Sequence, residues 1–563
     1  MSAKNVNLFL NNYELTVNQK YNKYVDDKIS ERIFNKDYTV WADSPTEITN
    51  RLDWLFSSEE TASKINEIND FVQDIKQNGF TDVLLLGMGG SSLAPEVFSL
   101  SFGNKTDYLN LSILDSTDPD RIYELTENID LEKTLFIVST KSGGTIETLS
   151  FFKYFYTVCS KKLNKENAGN QFVAITDPNS GLEKLAKELN FRKIFLNNPN
   201  IGGRYSVLSL FGIVPAALLG IDIEKLLNRA KNVAIECKET KSNSGKIGVA
   251  IGRLAMQGIN KLTFIYSKKI ISFGTWVEQL VAESTGKNGV GILPIENEKL
   301  EESEYYKNDR IFVYTHFADD QTENAKIEKL KAKGFPVIEI VLEDIYDLGT
   351  EFFRWEYATA VAGWAMGIQP FDQPNVESAK VEAKAMIKNY VENNELPKLN
   401  YSIENENIKL AGKVENNSLS EAIKEFLENL NNTDSADYVA IQAYISSNSE
   451  TNNELQKLRT KIQKKYKTAV TVGYGPRFLH STGQLHKGDS GKGLFIQFIS
   501  DRKHKIEIPK EAGKEESEFT FGVLINAQLL GDREALLKNN RKIITLNLGN
   551  DLVNNLQKII VMI

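Results

Sequence analysis

The chain has 563 residues, of which 41% are hydrophobic and 25% charged, the composition of an ordinary soluble globular protein. This length exceeds what a single hydrophobic core supports and predicts about three or four domains. The net charge of -8 argues against general binding to nucleic acid or anionic membranes, since both favour a basic surface.

The two cysteines, Cys159 and Cys237, stand in apolar or helical segments and form no C-x-x-C pair, which is typical of a reduced compartment. No His/Cys cluster has zinc spacing, and we expect no metal ion. The first residues show no basic-then-apolar signal pattern, and no apolar run reaches membrane-spanning length. The sequence therefore predicts a cytoplasmic protein with no membrane partner.

The first half of the chain changes pattern once. Residues 1–75 read as a polar, helical N-terminal segment. From 76 to 224, apolar runs alternate with turns and helical patterns, the runs being TDVLLLG, LNLSIL, LFIVS and FVAIT. Strands that alternate with helices predict a doubly wound parallel sheet, in which ligands bind beyond the carboxyl ends of the strands.

The second half repeats this pattern twice. Residues 225–385 contain the strand patterns KLTFIYS, RIFVYTHF and PVIEIVL between apolar helices. A stretch richer in Asn, Glu and Lys opens the C-terminal portion, residues 386–563, whose strand patterns are YVAIQAYI, TAVTVGY and GLFIQFI. The predicted fold class is therefore α/β, with two doubly wound parallel-sheet α/β sandwich domains and a C-terminal α/β portion.

The stretch Leu135–Thr148, LFIVSTKSGGTIET, has the composition of a phosphate-binding loop. A buried strand gives way to hydroxyls, one ammonium and two glycines before a helix begins. A helix N-terminus presents unpaired N–H groups to an anion, and glycines let the backbone approach it. An ordinary strand-to-helix turn with a capping Ser or Thr is the alternative.

A second glycine turn, GMGGSS, partly matches a dinucleotide-binding fingerprint. Gly87 and Gly89 have the right spacing, and Asp115 ends the next strand, where a ribose-binding acid would stand. Ser92 occupies the third glycine position, which weakens the match. Gly90 and Ser91 are equally suited to a sugar hydroxyl or a phosphate.

Three further loops place charged or amide side chains beside turns. NIGGRYS carries Arg204 after two glycines, and VAESTGK ends a helix with Glu283. FDQPNVESAK sets Gln373 in a proline-bounded turn and Lys380 seven positions further on. Taken singly, each is an ordinary loop with a polar residue on its solvated face.

Together these loops resemble the phosphoglucose isomerase family. The matching motifs occur in family order, from Gly89-Gly90-Ser91 through Thr140–Thr148, GGRYS and ESTGK to FDQPNVESAK, and span about residues 80 to 385. The chain is most similar to the branch that forms the isomerase half of transaldolase–phosphoglucose isomerase fusions, but has no room for a transaldolase barrel. The resemblance implies sugar-isomerase-type domains, a homodimer without a cofactor, and interconversion of glucose 6-phosphate and fructose 6-phosphate through a cis-enediol.

The resemblance also assigns roles to side chains. Glu283 is the expected base for proton transfer between C2 and C1, Arg204 the cation beside the intermediate, and Lys380 a partner in ring opening. Contacts to the phosphate and sugar are expected from Gly90, Ser91, Thr140, Lys141, Ser142, Thr145, Gly203 and Gln373.

The family's histidine segment is missing from its usual place. Members of the family carry Gly-Gln-His some thirty residues beyond the glutamate, whereas here the interval holds only His316, without Gly-Gln before it. The family's lysine motif also often has a glycine where Asn375 stands. The loop 476–488, which includes STGQLH, offers a replacement, and we expect His486 to reach the site, with His480 second and His316 third. We expect this loop to enter the site of the other subunit across a dimer interface.

Three other functions remain open from the sequence alone. A non-catalytic phosphosugar-binding regulator would use the same phosphate loop, but would not need Glu283, Arg204 and Lys380. An isomerase acting on both glucose and mannose 6-phosphate fits the same residues. A nucleotide-dependent oxidoreductase would depend on the GMGGSS turn.

Overall fold

Three sheets with helices packed against them form the fold, and a separate two-stranded hairpin lies in the C-terminal portion. The computed structural model describes residues 5–163, 168–405, 407–432 and 434–563. The strands are β1 (Val6–Phe9), β2 (Asp82–Gly87), β3 (Asn110–Leu114), β4 (Thr134–Ser139), β5 (Phe172–Thr176), β6 (Lys193–Leu196), β7 (Lys261–Tyr266), β8 (Leu293–Ile295), β9 (Arg310–Phe317), β10 (Val337–Leu342), β11 (Ile403–Glu404), β12 (Lys409–Gly412), β13 (Tyr438–Tyr444), β14 (Ala469–Tyr474), β15 (Gly493–Ile499), β16 (Glu507–Pro509), β17 (Ser517–Thr520) and β18 (Lys542–Asn547).

The α-helices of the described residues are Glu14–Asp26, Ile29–Phe34, Ser57–Ala62, Ile65–Gln77, Leu93–Phe102, Pro119–Asn128, Ile146–Leu163, Gly181–Glu188, Leu210–Leu218, Ile223–Lys238, Asn243–Ala255, Phe273–Thr285, Asn324–Lys333, Asp347–Met366, Val376–Asn393, Leu419–Glu428, Ser449–Tyr466, Gly483–Gly488, Phe521–Lys538 and Leu552–Met562. None of them is both long and apolar enough to cross a membrane.

The first sheet has the order β3-β2-β4-β5-β6 and is parallel throughout. Every residue of β4 and β5 is buried, as expected for central strands covered by helices on both faces. Parallel strands end at one edge of their sheet, so the glycine turn after β2 and the phosphate-binding loop after β4 lie side by side. This edge is where the predicted ligand-binding loops meet.

The second sheet, β1-β10-β9-β7-β8, is parallel except for one edge strand. β1 pairs antiparallel with β10. The N-terminal segment, predicted to be helical, thus also contains a strand at Val6–Phe9. A four-residue strand has no periodicity to recognise, and its partner lies in the second half of the chain.

The third sheet, β11-β12-β18-β15-β13-β14, belongs to the C-terminal portion. β13, β14, β15 and β18 are parallel, and β12 pairs antiparallel with β18 on one side and with the edge strand β11 on the other. The predicted fold class, two doubly wound parallel-sheet units and a C-terminal α/β portion, is thus confirmed.

The C-terminal portion shares apolar cores with both preceding units. Ile508, Phe521 and Leu524 pack in the same core as strands of the first sheet. Tyr438 and Phe495 pack with Leu293 of the second. Because burial of apolar surface is the main source of stability, this portion is an integral part of the fold.

Candidate active site

The phosphate-binding loop closes one end of a cavity of about 690 Å³. Ser142, Gly144 and Thr145 line it. The Gly144 N–H donates to Ser142 Oγ at 3.2 Å, and the hydroxyls of Thr140 and Thr145 are 3.2 Å apart. The helix Ile146–Leu163 begins directly after this loop, so its N-terminal dipole faces the same end.

The side chain of Lys141 lies outside this cradle. Its ammonium forms an ion pair with Asp177 and donates to the carbonyl of Pro199 at 2.7 Å. Lys141 therefore ties the loop to the residue after β5, and contact of its ammonium with a phosphate stays a prediction. The loop's hydroxyl groups that line the cavity are those of Ser142 and Thr145.

The glycine turn after β2 packs directly on the loop that carries Arg204. A Cβ atom at Gly90 would lie 2.1 Å from the carbonyl oxygen of Gly203, so only glycine fits at position 90. This close approach explains why the Gly89-Gly90-Ser91 and GGRYS motifs occur together. Asp115 is not open to a ribose, because Arg477 lies 3.1 Å from it and Ser92 Oγ donates to it at 3.3 Å.

Arg204 is fixed by hydrogen bonds on every side of its guanidinium. Nε donates to Ser284 Oγ at 2.8 Å, Nη1 to Gln373 Oε1 at 2.9 Å, and Nη2 to the Pro370 carbonyl at 2.6 Å. Nη1 lies 3.6 Å from Glu283 Oε1, and the two side chains are only 5% and 13% exposed. The structure thus brings Arg204, Glu283 and Gln373 together as predicted.

Gln279, which the sequence analysis missed, links Glu283 to the C-terminal portion. Its Nε2 donates to Glu283 Oε2 at 3.2 Å and to the carbonyl of His480 at 2.7 Å. Gln279 precedes Glu283 by four residues and so shares its helix face, a spacing that was readable from the sequence.

His480 is the histidine that lines the cavity. It ends the short helical turn Arg477–His480, and its Nε2 lies 2.9 Å from Glu147 Oε1. Burial opposes ionisation of Glu147, but the charge and hydrogen bond of His480 outweigh it and hold the pKa of Glu147 below its ordinary value. Glu147 therefore stays ionised and orients the imidazole.

His486 does not reach the cavity, which corrects our first choice from the sequence. Its side chain is 2% exposed and packs between the rings of Phe478 and Phe495. Burial, reinforced by the positive charge of Lys487, lowers the pKa of His486 well below its usual value. His316 is likewise buried, stacked on Tyr314 in the second sheet.

Lys380 projects from the helix Val376–Asn393 and lines the cavity together with His480. Its side chain is 54% exposed and lies 3.9 Å from Glu377. Gln484 positions this helix, because it accepts from the backbone N–H groups of Asn375 and Val376 and donates to the Gly286 carbonyl at 2.8 Å.

A family model described as phosphoglucose isomerase matches residues 59–293. A probable glucose-6-phosphate isomerase of Methanococcus maripaludis is 30% identical over 376 residues, which are 59% of this chain and 84% of the relative. The chain belongs to the phosphoglucose isomerase family. A glucose-6-phosphate isomerase of Leptospira biflexa is 31% identical over 361 residues, covering 54% of this chain and 79% of that protein.

Two solved structures share the fold of this family member. A hypothetical protein from Thermus thermophilus superposes with a TM-score of 0.58 at 23% identity, covering 68% of this chain and 99% of that one. A glucose-6-phosphate isomerase from Chlamydia trachomatis gives 0.56 at 18% identity, covering 66% and 84%. The family-model match ends at residue 293, well before the C-terminal portion that carries His480.

The His480 loop is held in place partly by a buried carboxyl. Ser481 Oγ donates to Glu278 Oε1 at 3.1 Å, and burial together with the neighbouring Glu296 raises the pKa of Glu278 to about 8. The unfolded chain releases this proton near pH ~4.5. Between these values the folded state binds more protons than the unfolded state, so this group makes stability fall as pH rises.

Glu278→Gln should remove that pH dependence, because an amide accepts from Ser481 without titrating. The loss of unfolding free energy between about pH 6 and pH 8 should shrink by on the order of 2 kcal/mol relative to the wild type. Urea unfolding at both pH values measures it. An equal pH slope in the two proteins would show that Glu278 titrates normally.

Proposed function

We propose that this protein interconverts glucose 6-phosphate and fructose 6-phosphate by acid–base catalysis. The observation that carries the proposal is the link through Gln279. It joins Glu283, which lies beside Arg204, to His480, which shares one cavity with Lys380 and the phosphate-binding loop. The reaction moves only protons and needs no redox cofactor.

Glu283 is the group that moves the proton between C2 and C1. Proton removal at C2 places negative charge on the sugar oxygen, and the return of the proton at C1 completes the isomerisation. Arg204 stabilises that charge, since a guanidinium keeps its proton and this one is already rigidly oriented. Its hydrogen bonds to Ser284 and Gln373 leave little reorganisation to be completed in the transition state.

We assign ring opening to His480 and Lys380, which line the same cavity. Because the ionised carboxylate of Glu147 only accepts hydrogen bonds, Nε2 of His480 carries the proton that points towards it. In the neutral imidazole, Nδ1 is then the basic nitrogen, free to exchange a proton with a sugar oxygen. Lys380 supplies a second proton donor in the same cavity.

In the described residues, one chain supplies the phosphate loop, Glu283, Arg204, Lys380 and a histidine. His480 lines the cavity within its own chain, so our proposal takes no histidine from a second subunit. We keep the homodimer as a proposal for assembly only.

A coupled assay tests the activity directly. Fructose 6-phosphate is supplied with a glucose-6-phosphate dehydrogenase, and formation of reduced nicotinamide cofactor is followed. A non-catalytic phosphosugar regulator would bind the sugar and give no signal. Mannose 6-phosphate as the starting substrate, under the same coupling, reveals whether the specificity is dual.

Ser142→Ala combined with Thr145→Val should raise KM for fructose 6-phosphate by about 100-fold, the scale of two lost hydrogen bonds to a charged group. Part of the loss should appear in kcat, since binding energy at the phosphate orients the reacting carbons. Lys141→Gln is the matched comparison, and should change KM less because its ammonium faces Asp177. Unchanged inhibition of the double variant by phosphorylated sugar acids would place the anion elsewhere.

A further inference from the structure

Gln528 of the C-terminal portion contacts the carboxylate that orients His480. It lies on the helix Phe521–Lys538, and its Nε2 donates to Glu147 Oε1 at 2.7 Å. Its own Oε1 accepts from Thr117 Oγ1 at 2.8 Å. All three side chains are buried, and Glu147 and Gln528 also line the cavity.

The direction of this chain of hydrogen bonds is fixed by its chemistry. An ionised carboxylate accepts only, so the amide must turn its NH₂ group towards Glu147. The carbonyl oxygen of Gln528 then faces Thr117, whose hydroxyl donates to it. The carboxylate of Glu147 therefore selects the amide orientation, and the Thr117 hydroxyl satisfies the carbonyl oxygen that results.

Glu147 Oε1 accepts from two donors, Gln528 Nε2 and His480 Nε2. Lys380, from the helix Val376–Asn393, adds a further positive charge that favours the ionised form of Glu147. A carboxylate with two donors at the same oxygen is stabilised as the anion and is held at one angle. The fixed carboxylate therefore sets both the ring orientation and the tautomer of the imidazole that bonds to it.

We propose that Gln528 is a positioning residue, which acts through Glu147 to hold His480 in the tautomer with its proton on Nε2. This inference rests on the proposed isomerase function only for its kinetic consequence. Gln528 lies far beyond residue 293, where the match to the family model ends. The C-terminal portion thus supplies both the histidine and the support for the histidine's carboxylate partner.

Two substitutions of Gln528 separate positioning from packing. In Gln528→Leu, the donor is lost at every pH, and kcat for fructose 6-phosphate should fall about 10-fold, the scale of one hydrogen bond to a charged group. In Gln528→Glu, burial and the adjacent carboxylate keep the new acid protonated at low pH, so that it donates as the amide did. This variant should match the wild type at acid pH and approach Gln528→Leu as the pH rises.

Asn526→Asp is the matched control, since Asn526 is exposed on the same helix. It makes the same amide-to-acid change and should keep the wild-type pH profile. If the role of Gln528 were merely structural, kcat of Gln528→Leu and of Gln528→Glu would fall equally at every pH. That result would overturn the proposal. Wild-type profiles in both variants would overturn it as well.

A second measurement does not depend on activity. The chain has four histidines, so ¹⁵N labelling of histidine with His480→Ala as the assignment variant resolves the ring nitrogens of His480. The wild type should show a protonated Nε2, and Gln528→Leu a mixture of tautomers. An unchanged tautomer in that variant overturns the proposal. If the wild type shows no isomerase activity, the proposed function fails, while this spectrum still decides the role of Gln528.

Discussion

Glu283→Gln should lower kcat for fructose 6-phosphate by about 10²–10⁴-fold, the usual contribution of a general base, with KM nearly unchanged. The amide is the same size and still accepts from Gln279, whose Nε2 lies 3.2 Å from Glu283 Oε2. It also remains beside Arg204, so the pocket keeps its shape. What the variant loses is the ability to take a proton from C1 of this ketose.

Isotope exchange separates this loss from a binding defect. In deuterated water, the wild type should exchange the transferred hydrogen of fructose 6-phosphate, and Glu283→Gln should stop that exchange to the same degree as turnover. Glu283→Asp serves as the comparison, because it keeps the carboxylate one methylene further from the sugar and should lose less. Near-normal turnover in Glu283→Gln would remove this residue from the mechanism.

The local motifs were predictable because their geometry is set by neighbouring residues. A buried strand, a glycine-rich turn and a helix start follow one another along the sequence at the phosphate-binding loop, so the sequence alone places Ser142 and Thr145 in it. The same holds for Gln373 and Lys380, which share one loop and the helix after it. Gln279 was readable from the i, i+4 spacing to Glu283.

What the sequence left undecided depends on contacts between distant segments. Lys141 stands in a loop of anion-binding composition, but its ammonium pairs with Asp177 after the next strand. His480 and His486 lie in one polar loop, and the STGQLH segment that favoured His486 does not reveal which of the two side chains is buried. The helix Gly483–Gly488 turns His486 inward against Phe495, whereas the preceding turn leaves His480 at the cavity.

His480→Ala should lower kcat for cyclic fructose 6-phosphate by about 10²-fold or more, since ring opening loses its acid–base group. The substrate's own slow ring opening sets a floor to the loss. Added imidazole should restore part of the rate, because the truncated side chain leaves space beside Glu147. His486→Phe is the matched control, keeping a ring between Phe478 and Phe495, and its kcat should stay close to that of the wild type.

The decisive comparison uses a ketose that cannot form the furanose ring. Fructose 6-phosphate without its 5-hydroxyl has no oxygen to close that ring, so the enzyme meets it already open. Hydrogen exchange at C1 of this substrate depends on Glu283 and Arg204 and should survive in His480→Ala at close to the wild-type rate. Equal losses on the cyclic and the open-chain ketose would show instead that His480 takes part in proton transfer at carbon or in holding the site together, and ring opening would then fall to Lys380 and water.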